Sequence, residues 1–229
     1  MNSPVILAAS YLGPEGHGND QVGLRPWPAK LAASFERGDL TELHWSWFFP
    51  SDSSRIARMD LMCRLGLMAA ELLESGLEGW DSARRERVGV CVETCAGSLA
   101  TDVRFLQTPK PTLFTYTLPS TVIGELCIRY RLKGPVLCLI SESPAQESVL
   151  REAVTWLTQN DAEACLCLQC EAVDQTLAAT VPLPGGLRPG DWRAGALLLG
   201  KPRGEAREYP LSGLNLRQLC RELCGGKPS

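Results

Sequence analysis

Ser143 is the first candidate for covalent chemistry in this chain. It follows the apolar run Val136-Leu137-Cys138-Leu139-Ile140, with Glu142 before it and Pro144 after it. A serine hydroxyl becomes a nucleophile only when an adjacent base takes its proton, and Glu142 is the nearby carboxylate. The same residues also read as a helix start, a serine cap followed by proline at the first helical position. Pro144 removes one backbone amide from the turn, and such amides are the usual donors to an oxyanion. The cap is the reading these residues favour.

Cys165, Cys167 and Cys170 form C-x-C-x-x-C, a spacing that could ligate a metal. Cys165 and Cys167 fall within the apolar run Ala164-Cys165-Leu166-Cys167-Leu168, where strand alternation puts both on one face. No fourth cysteine or histidine follows at ligand spacing, so core thiols and no metal are expected. Cys138 is expected to be buried in its strand. Cys220 and Cys224, one helical turn apart, suit the buried stripe of a terminal helix equally well. Glu125 and Arg129 are four residues apart on an otherwise apolar helix and could pair, for a few tenths of a kcal/mol if exposed. Asp102, near Arg104, is expected to cap its helix or face water. The only histidines are His17 and His44.

The elements that must position these groups alternate between buried strands and amphipathic helices. Val5 to Ala9 is a short apolar run stopped by Tyr11-Leu12-Gly13-Pro14, and residues 13 to 30 are rich in glycine and proline and expected to be irregular. Trp45, Trp47, Phe48 and Phe49 are expected to pack as a loop onto the domain rather than to form a partner-binding patch. Helical spacing runs from Arg58 to Leu73, through Leu99, Val103 and Leu106 after a cap at Ser98, from Pro119 to Leu132, and from Ala145 to Leu157. Strands are expected at Val88 to Val92, Val136 to Ile140, Ala162 to Leu168 and Ala194 to Leu199, the first two read as buried. Residues 182 to 190 read as a loop between strands. A last short helix is expected from the Leu211-Ser212-Gly213 start through Cys224. This alternation indicates an α/β layer fold around a largely parallel sheet.

With 229 residues, 45% of them hydrophobic, the chain can bury one substantial core. A net charge of −3, with scattered Lys and Arg, gives no basic field for nucleic acid. No apolar run is long enough to span a bilayer, and the start lacks a basic n-region. The ten cysteines lie mostly in apolar elements, which suits reduced thiols in a cytoplasmic protein.

An ordered set of segments resembles the amino-terminal half of β-ketoacyl synthases, the thiolase-fold condensing enzymes of fatty-acid and polyketide synthesis. The set comprises Ser54-Arg55-Ile56-Ala57-Arg58-Met59-Asp60, Arg87 to Ser98, Phe114 to Thr121 with Gly124-Glu125-Leu126, Lys133-Gly134-Pro135 through Glu147, and Arg193 to Leu199. The likeness runs from near residue 3 to about residue 200. It implies a thiolase-like half, layered helices around a mostly parallel sheet, with a ketosynthase-like domain over residues 1–203 and an extension over 204–229 carrying one short helix. In that family Gly-Pro leads into the strand that delivers a catalytic cysteine, and Ser143 holds the cysteine's position here. The family's two catalytic histidines lie in its second half and have no counterpart in this chain.

The resemblance therefore implies a non-catalytic subunit, similar to the short chain-length-factor-like proteins of aryl-polyene and xanthomonadin pathways. Such a subunit would pair with a full-length β-ketoacyl synthase, meet acyl carrier protein indirectly, and need no cofactor. The family's protomers associate through their amino-terminal halves, and a loop of one walls the other's acyl pocket. The segment matching that loop contains Leu113, Phe114, Tyr116 and Leu118. One alternative is an acyltransferase, hydrolase or malonyl decarboxylase that uses Ser143 or the side-chain amide of Gln146. Another is a free-standing module that binds acyl groups or a carrier protein.

Overall fold

The computed structural model describes residues 4–40, 42–51, 53–77, 79–142, 148–173, 175, 177, 182–201 and 215–225. Among them, seven strands make one sheet: β1 (Val5–Gly13), β2 (Gly16–Asn19), β3 (Gly23–Arg25), β4 (Val88–Thr94), β5 (Val136–Ile140), β6 (Ala164–Ala172) and β7 (Trp192–Gly200). Their spatial order is β3-β2-β1-β7-β6-β4-β5. The helices are α1 (Ala29–Glu36), α2 (Ser53–Ile56), α3 (Leu61–Leu72), α4 (Glu74–Leu77), α5 (Ser82–Arg85), α6 (Leu99–Gln107), α7 (Pro111–Phe114), α8 (Thr121–Tyr130), α9 (Ser148–Gln159) and α10 (Leu216–Gly225).

The layered α/β class is as expected, but the sheet is mixed. β4 runs parallel to β5 and to β6, whereas β7 is antiparallel to both β6 and β1. β1, β2 and β3 form an antiparallel meander. Five strands thus point one way, with β2 and β7 reversed. Hydrophobic runs do not encode direction, so a reversed β7 leaves the same buried pattern as a parallel one. The stretch expected to be irregular, residues 13 to 30, holds β2, β3 and the start of α1. Its polar, glycine-rich strands lack apolar alternation, and Asn19 shapes their turn by accepting from the amides of Gln21 (3.1 Å) and Val22 (2.9 Å).

Strand alternation divides the core between the two faces of the sheet. Val88, Val90 and Val92 of β4, with Leu166, Leu168 and Cys170 of β6, meet α3 and α8. Cys91, Cys165, Cys167, Leu197 and Leu199 point the other way, onto α9 and α10. α3 begins at Asp60, whose carboxylate accepts from the Cys63 amide at 2.9 Å and from Thr101 Oγ1 at 3.1 Å. The stripe Leu216, Leu219, Cys220 and Cys224 of α10 is buried against the sheet, as the one-turn spacing of its cysteines allows.

β5 corrects a second expectation. It is the edge of the sheet among the described residues, with both ends exposed, not a buried strand. An apolar pentapeptide says that a strand forms; which of its sides is covered depends on the rest of the chain. Gly134 makes its entry possible, because a Cβ there would lie 2.5 Å from the Val88 carbonyl carbon.

Candidate functional site

The carboxyl ends of β4, β5 and β6 lie side by side, the end of such a sheet where ligands usually bind. Glu171, on β6, organises the turn that follows β4. Its carboxylate is fully buried and accepts from the amides of Cys95 (2.7 Å) and Ala96 (3.0 Å) and from Thr94 Oγ1 (3.2 Å). Burial raises its pKa above the ordinary value, partly opposed by those amide bonds and by the Arg217 charge. Gly97, at φ 55°, completes the turn, and a Cβ there would sit 3.0 Å from the Pro119 ring.

Two groups with nucleophilic potential meet at this end. Cys95 Sγ lies 3.7 Å from Ser141 Oγ, both buried. Burial first, and Glu171 second, push the Cys95 thiol up to about 11, so at neutral pH it is a protonated thiol rather than a thiolate. Ser143, Gln146 and the residues between them lie outside the described residues, as does Glu147.

The segment holding the four expected pocket or interface residues lies over the β4 turn. Ser98 does not cap α6 with its side chain. Its hydroxyl instead donates to the Thr117 carbonyl at 2.6 Å and lies 3.3 Å from an oxygen of Asp102. Asp102 is thus partly covered rather than simply facing water. Thr121 Oγ1 adds a second tether, donating to the Thr115 carbonyl at 2.9 Å. Within the segment Leu113 and Tyr116 are half-buried, and the Tyr116 hydroxyl points at Glu125 Oε1 at the long distance of 3.5 Å.

Phe114 and Leu118 are exposed by 63% and 64%, and Val136 and Ile140, at the two ends of β5, by 54% and 68%. Ile128 on α8 and Leu106 on α6 are also open to solvent. Two exposed apolar side chains thus stand on β5, whose outer edge is unpaired among the described residues, a combination that proteins normally keep covered.

Other expected groups fall elsewhere. Glu125 and Arg129 do not pair with each other as the four-residue spacing suggested. Glu125 holds Arg55 at 2.6 Å, while Arg129 reaches Glu71 on α3 through two nitrogens, at 3.0 and 2.8 Å. Tyr130 donates to the same carboxylate at 2.6 Å, and the Arg129 guanidinium lies 4.6 Å from the Phe49 ring centre. A bidentate tertiary pair outweighs a local one because the planar fork fits both carboxylate oxygens. Cys138 is half-buried rather than enclosed. Cys165 and Cys167 share a face, but Cys170 points to the other, where its thiol meets the Met62 carbonyl at 3.5 Å. Among the described residues no group of three His, Cys, Asp or Glu side chains is placed to hold a metal. Of the aromatic run, Phe49 is buried and Trp45 and Phe48 pack on the core, with Trp47 half-exposed. His17 stacks on Trp27 at 4.2 Å, and burial lowers its pKa.

Sequence reasoning missed Glu171, Cys95, Ser141 and the tethering role of Ser98. A lone acidic residue ending an apolar strand, in Cys-Leu-Gln-Cys-Glu, was the one available signal for Glu171.

The mixed sheet with helices on both faces is the fold of a ketosynthase-type amino-terminal half. The chain belongs to the β-ketoacyl synthase N-terminal domain family, whose profile matches residues 32–176. No curated protein matches it. Among solved structures it is similar to the ishigamide ketosynthase/chain length factor, with a TM-score of 0.61 at 18% identity over 91% of this chain and 64% of that one. It is similar, too, to a chain of the ketosynthase ApeO in complex with its chain length factor ApeC from Xenorhabdus doucetiae. There the TM-score is 0.60 at 17% identity, over 99% of this chain and 93% of that one. A third, AntDE:AntF, a type II PKS acyl-carrier protein in complex with its ketosynthase, gives 0.60 at 17% identity over 88% and 63%. The chain thus spans under two thirds of the first and third relatives and nearly all of the second. At these identities the likeness is one of fold. No helix among the described residues is long and apolar enough to cross a membrane.

Proposed function

We propose that this chain is a non-catalytic, chain-length-factor-like subunit that pairs with a full-length β-ketoacyl synthase and helps shape its acyl pocket. The observation that carries the proposal is the edge of β5, unpaired among the described residues, together with the exposed side chains of Phe114 and Leu118. An antiparallel strand from a partner would satisfy the open backbone groups of β5 and cover Val136 and Ile140. The chemistry on this side is weak. Serine occupies position 143, where the family resemblance expects the nucleophilic cysteine, and the Cys95 thiol in the turn after β4 is held protonated.

Leu113, Phe114, Tyr116 and Leu118 are the residues we assign to the partner-facing wall. Ser98 and Thr121 fix the backbone of this segment, so its rings can set a length limit by sterics. The solved complex of a ketosynthase with its chain length factor supports the pairing, and an aryl-polyene-type pathway, with acyl carrier protein met indirectly, is the setting we favour. The test is product length in the assembled complex. Phe114→Ala and Tyr116→Ala should lengthen or broaden the acyl chains made by the partner while the complex stays intact. An unchanged product distribution from both variants rules out the pocket role.

A further inference from the structure

On the α10 side of the sheet a cavity of about 460 Å³ is lined by Tyr11, Arg193, Asn215, Arg217, Gln218, Arg221 and Glu222. Three arginines share one small, partly open space. The lining comes from distant points in the chain: Tyr11 is on β1, Arg193 on β7, and Arg217 and Arg221 on α10. The cavity lies at the sheet end that carries Glu171, since Arg193 is the register partner of Glu171 across β6 and β7. Gln169, on the same face of β6, accepts from the Arg217 amide at 3.2 Å and fixes the start of α10 there.

The carboxylates around the cavity are committed unevenly. Glu15 accepts from the Tyr11 hydroxyl at 2.8 Å and pairs with Arg221 at 3.4 Å. Glu222 accepts from the Gln218 side-chain amide at 2.9 Å. Asp191 accepts from the Arg188 amide at 2.8 Å and reaches Arg193 only at 3.8 Å. Arg217 has no ion pair among the described residues. Its Nη1 and the Nε of Arg193 are buried without a hydrogen-bond partner. Buried polar atoms of native proteins are almost always satisfied, so two such atoms on neighbouring guanidiniums at one cavity mark a place for an acceptor. Burial first, then the Arg193 charge, holds the Arg217 pKa below its ordinary value, partly opposed by the charges of Glu171 and Asp191.

We infer that this cavity is a binding site for a small organic anion bearing a phosphate or carboxylate group, with Arg217 and Arg193 as its principal ligands. Their planar forks match the oxygen pairs of either group. Gln218, whose side-chain NH2 keeps a second hydrogen beside the one given to Glu222, stands next to them as a further donor. The site would sit one residue layer from the turn held by Glu171, so occupancy would bear on the end of the sheet that carries Cys95 and Ser141. The inference is independent of the pairing proposed above.

The test is calorimetric titration of the full chain at low ionic strength with inorganic phosphate and, separately, succinate. We expect saturable binding at one site per chain, and the tighter probe identifies the head group. Arg217→Gln should weaken binding by tenfold or more, whereas Arg151→Gln, on the exposed side of α9, should leave it unchanged. If Arg217→Gln fails to fold, Arg217→Lys keeps the charge but loses the fork and should still weaken binding several-fold. Absence of saturable binding by either probe, or equal affinity in wild type and the Arg217 variant, overturns the inference.

Discussion

Replacing Glu171 with alanine should destabilise the chain by about 3 kcal/mol. The substitution strands two buried amides, those of Cys95 and Ala96, which the carboxylate now accepts at 2.7 and 3.0 Å. A buried donor left without an acceptor costs about 1–3 kcal/mol, so the two together account for about 3. Thr94 adds little, because its hydroxyl oxygen also accepts from the Gly97 amide at 2.9 Å and keeps that bond. Relief from burying a carboxylate offsets part of the loss, and the lost methylene packing restores part of it. For a chain of this size the melting temperature should fall by about 6–12 °C. Urea titration followed by tryptophan fluorescence reads the change directly.

The pH dependence gives a second, independent readout. The folded-state pKa of Glu171 is raised above the ordinary 4.5. A raised carboxyl favours the protonated form in the folded chain. Its contribution is fully present below pH 4.5 and is lost as pH rises through the folded value. Wild type should therefore lose stability relative to Glu171→Gln as pH increases from about 4.5 toward neutrality. A cost below about 1 kcal/mol for Glu171→Ala refutes the argument that this carboxylate holds the turn, and a wild type that gains on Glu171→Gln over that range refutes burial as the dominant influence on its pKa.

Arg129→Met should cost about 2 kcal/mol by urea titration, since it leaves the Glu71 carboxylate with Tyr130 as its remaining close donor among the described residues. Arg129→Lys should recover less than half of that because it loses the paired geometry. Elemental analysis of protein purified without chelator should find substoichiometric zinc and iron, because Cys170 faces away from Cys165 and Cys167. One tightly bound equivalent, lost on mutating any of the three, would overturn that. Incubation with acyl and malonyl carrier-protein thioesters should leave the intact mass unchanged, and a stable adduct mapped to Ser143 would favour an acyl-transfer enzyme instead.

Most elements were legible in the sequence where burial was symmetric. β4, β6 and β7 read as strands because their apolar runs are covered on both faces, and α3 and α8 read as helices from their spacing. Strand direction and edge position were not legible. β5 has the same composition as its neighbours, yet only one of its sides is paired among the described residues. Polar pairing was misread for a related reason: Arg129 has a partner four residues away in sequence and a better one on α3, and only packing brings Glu71 to it. The arginine cavity joins positions 11, 193 and 217, which no local pattern connects. Family resemblance carried the reading further than periodicity, since Gly134-Pro135 and the Thr94–Ser98 turn are recognisable as ordered motifs. It placed Leu113, Phe114, Tyr116 and Leu118 together but gave no hint that Ser98 ties their backbone down.

The pairing claim rests on the β5 edge, and a single comparison tests it. The chain is co-expressed with a full-length β-ketoacyl synthase from the same source, as wild type and as Ile140→Lys, and the purified material is measured by native mass spectrometry. Ile140 is 68% exposed, so the substitution should change the stability of the chain alone by no more than about 0.5 kcal/mol. Placed against a partner strand it would bury an unpaired charge, which an interface tolerates poorly. The account predicts a 1:1 complex for wild type and at least a tenfold weaker one for Ile140→Lys. No complex with wild type, or an equally stable one with the folded Ile140→Lys chain, would contradict it.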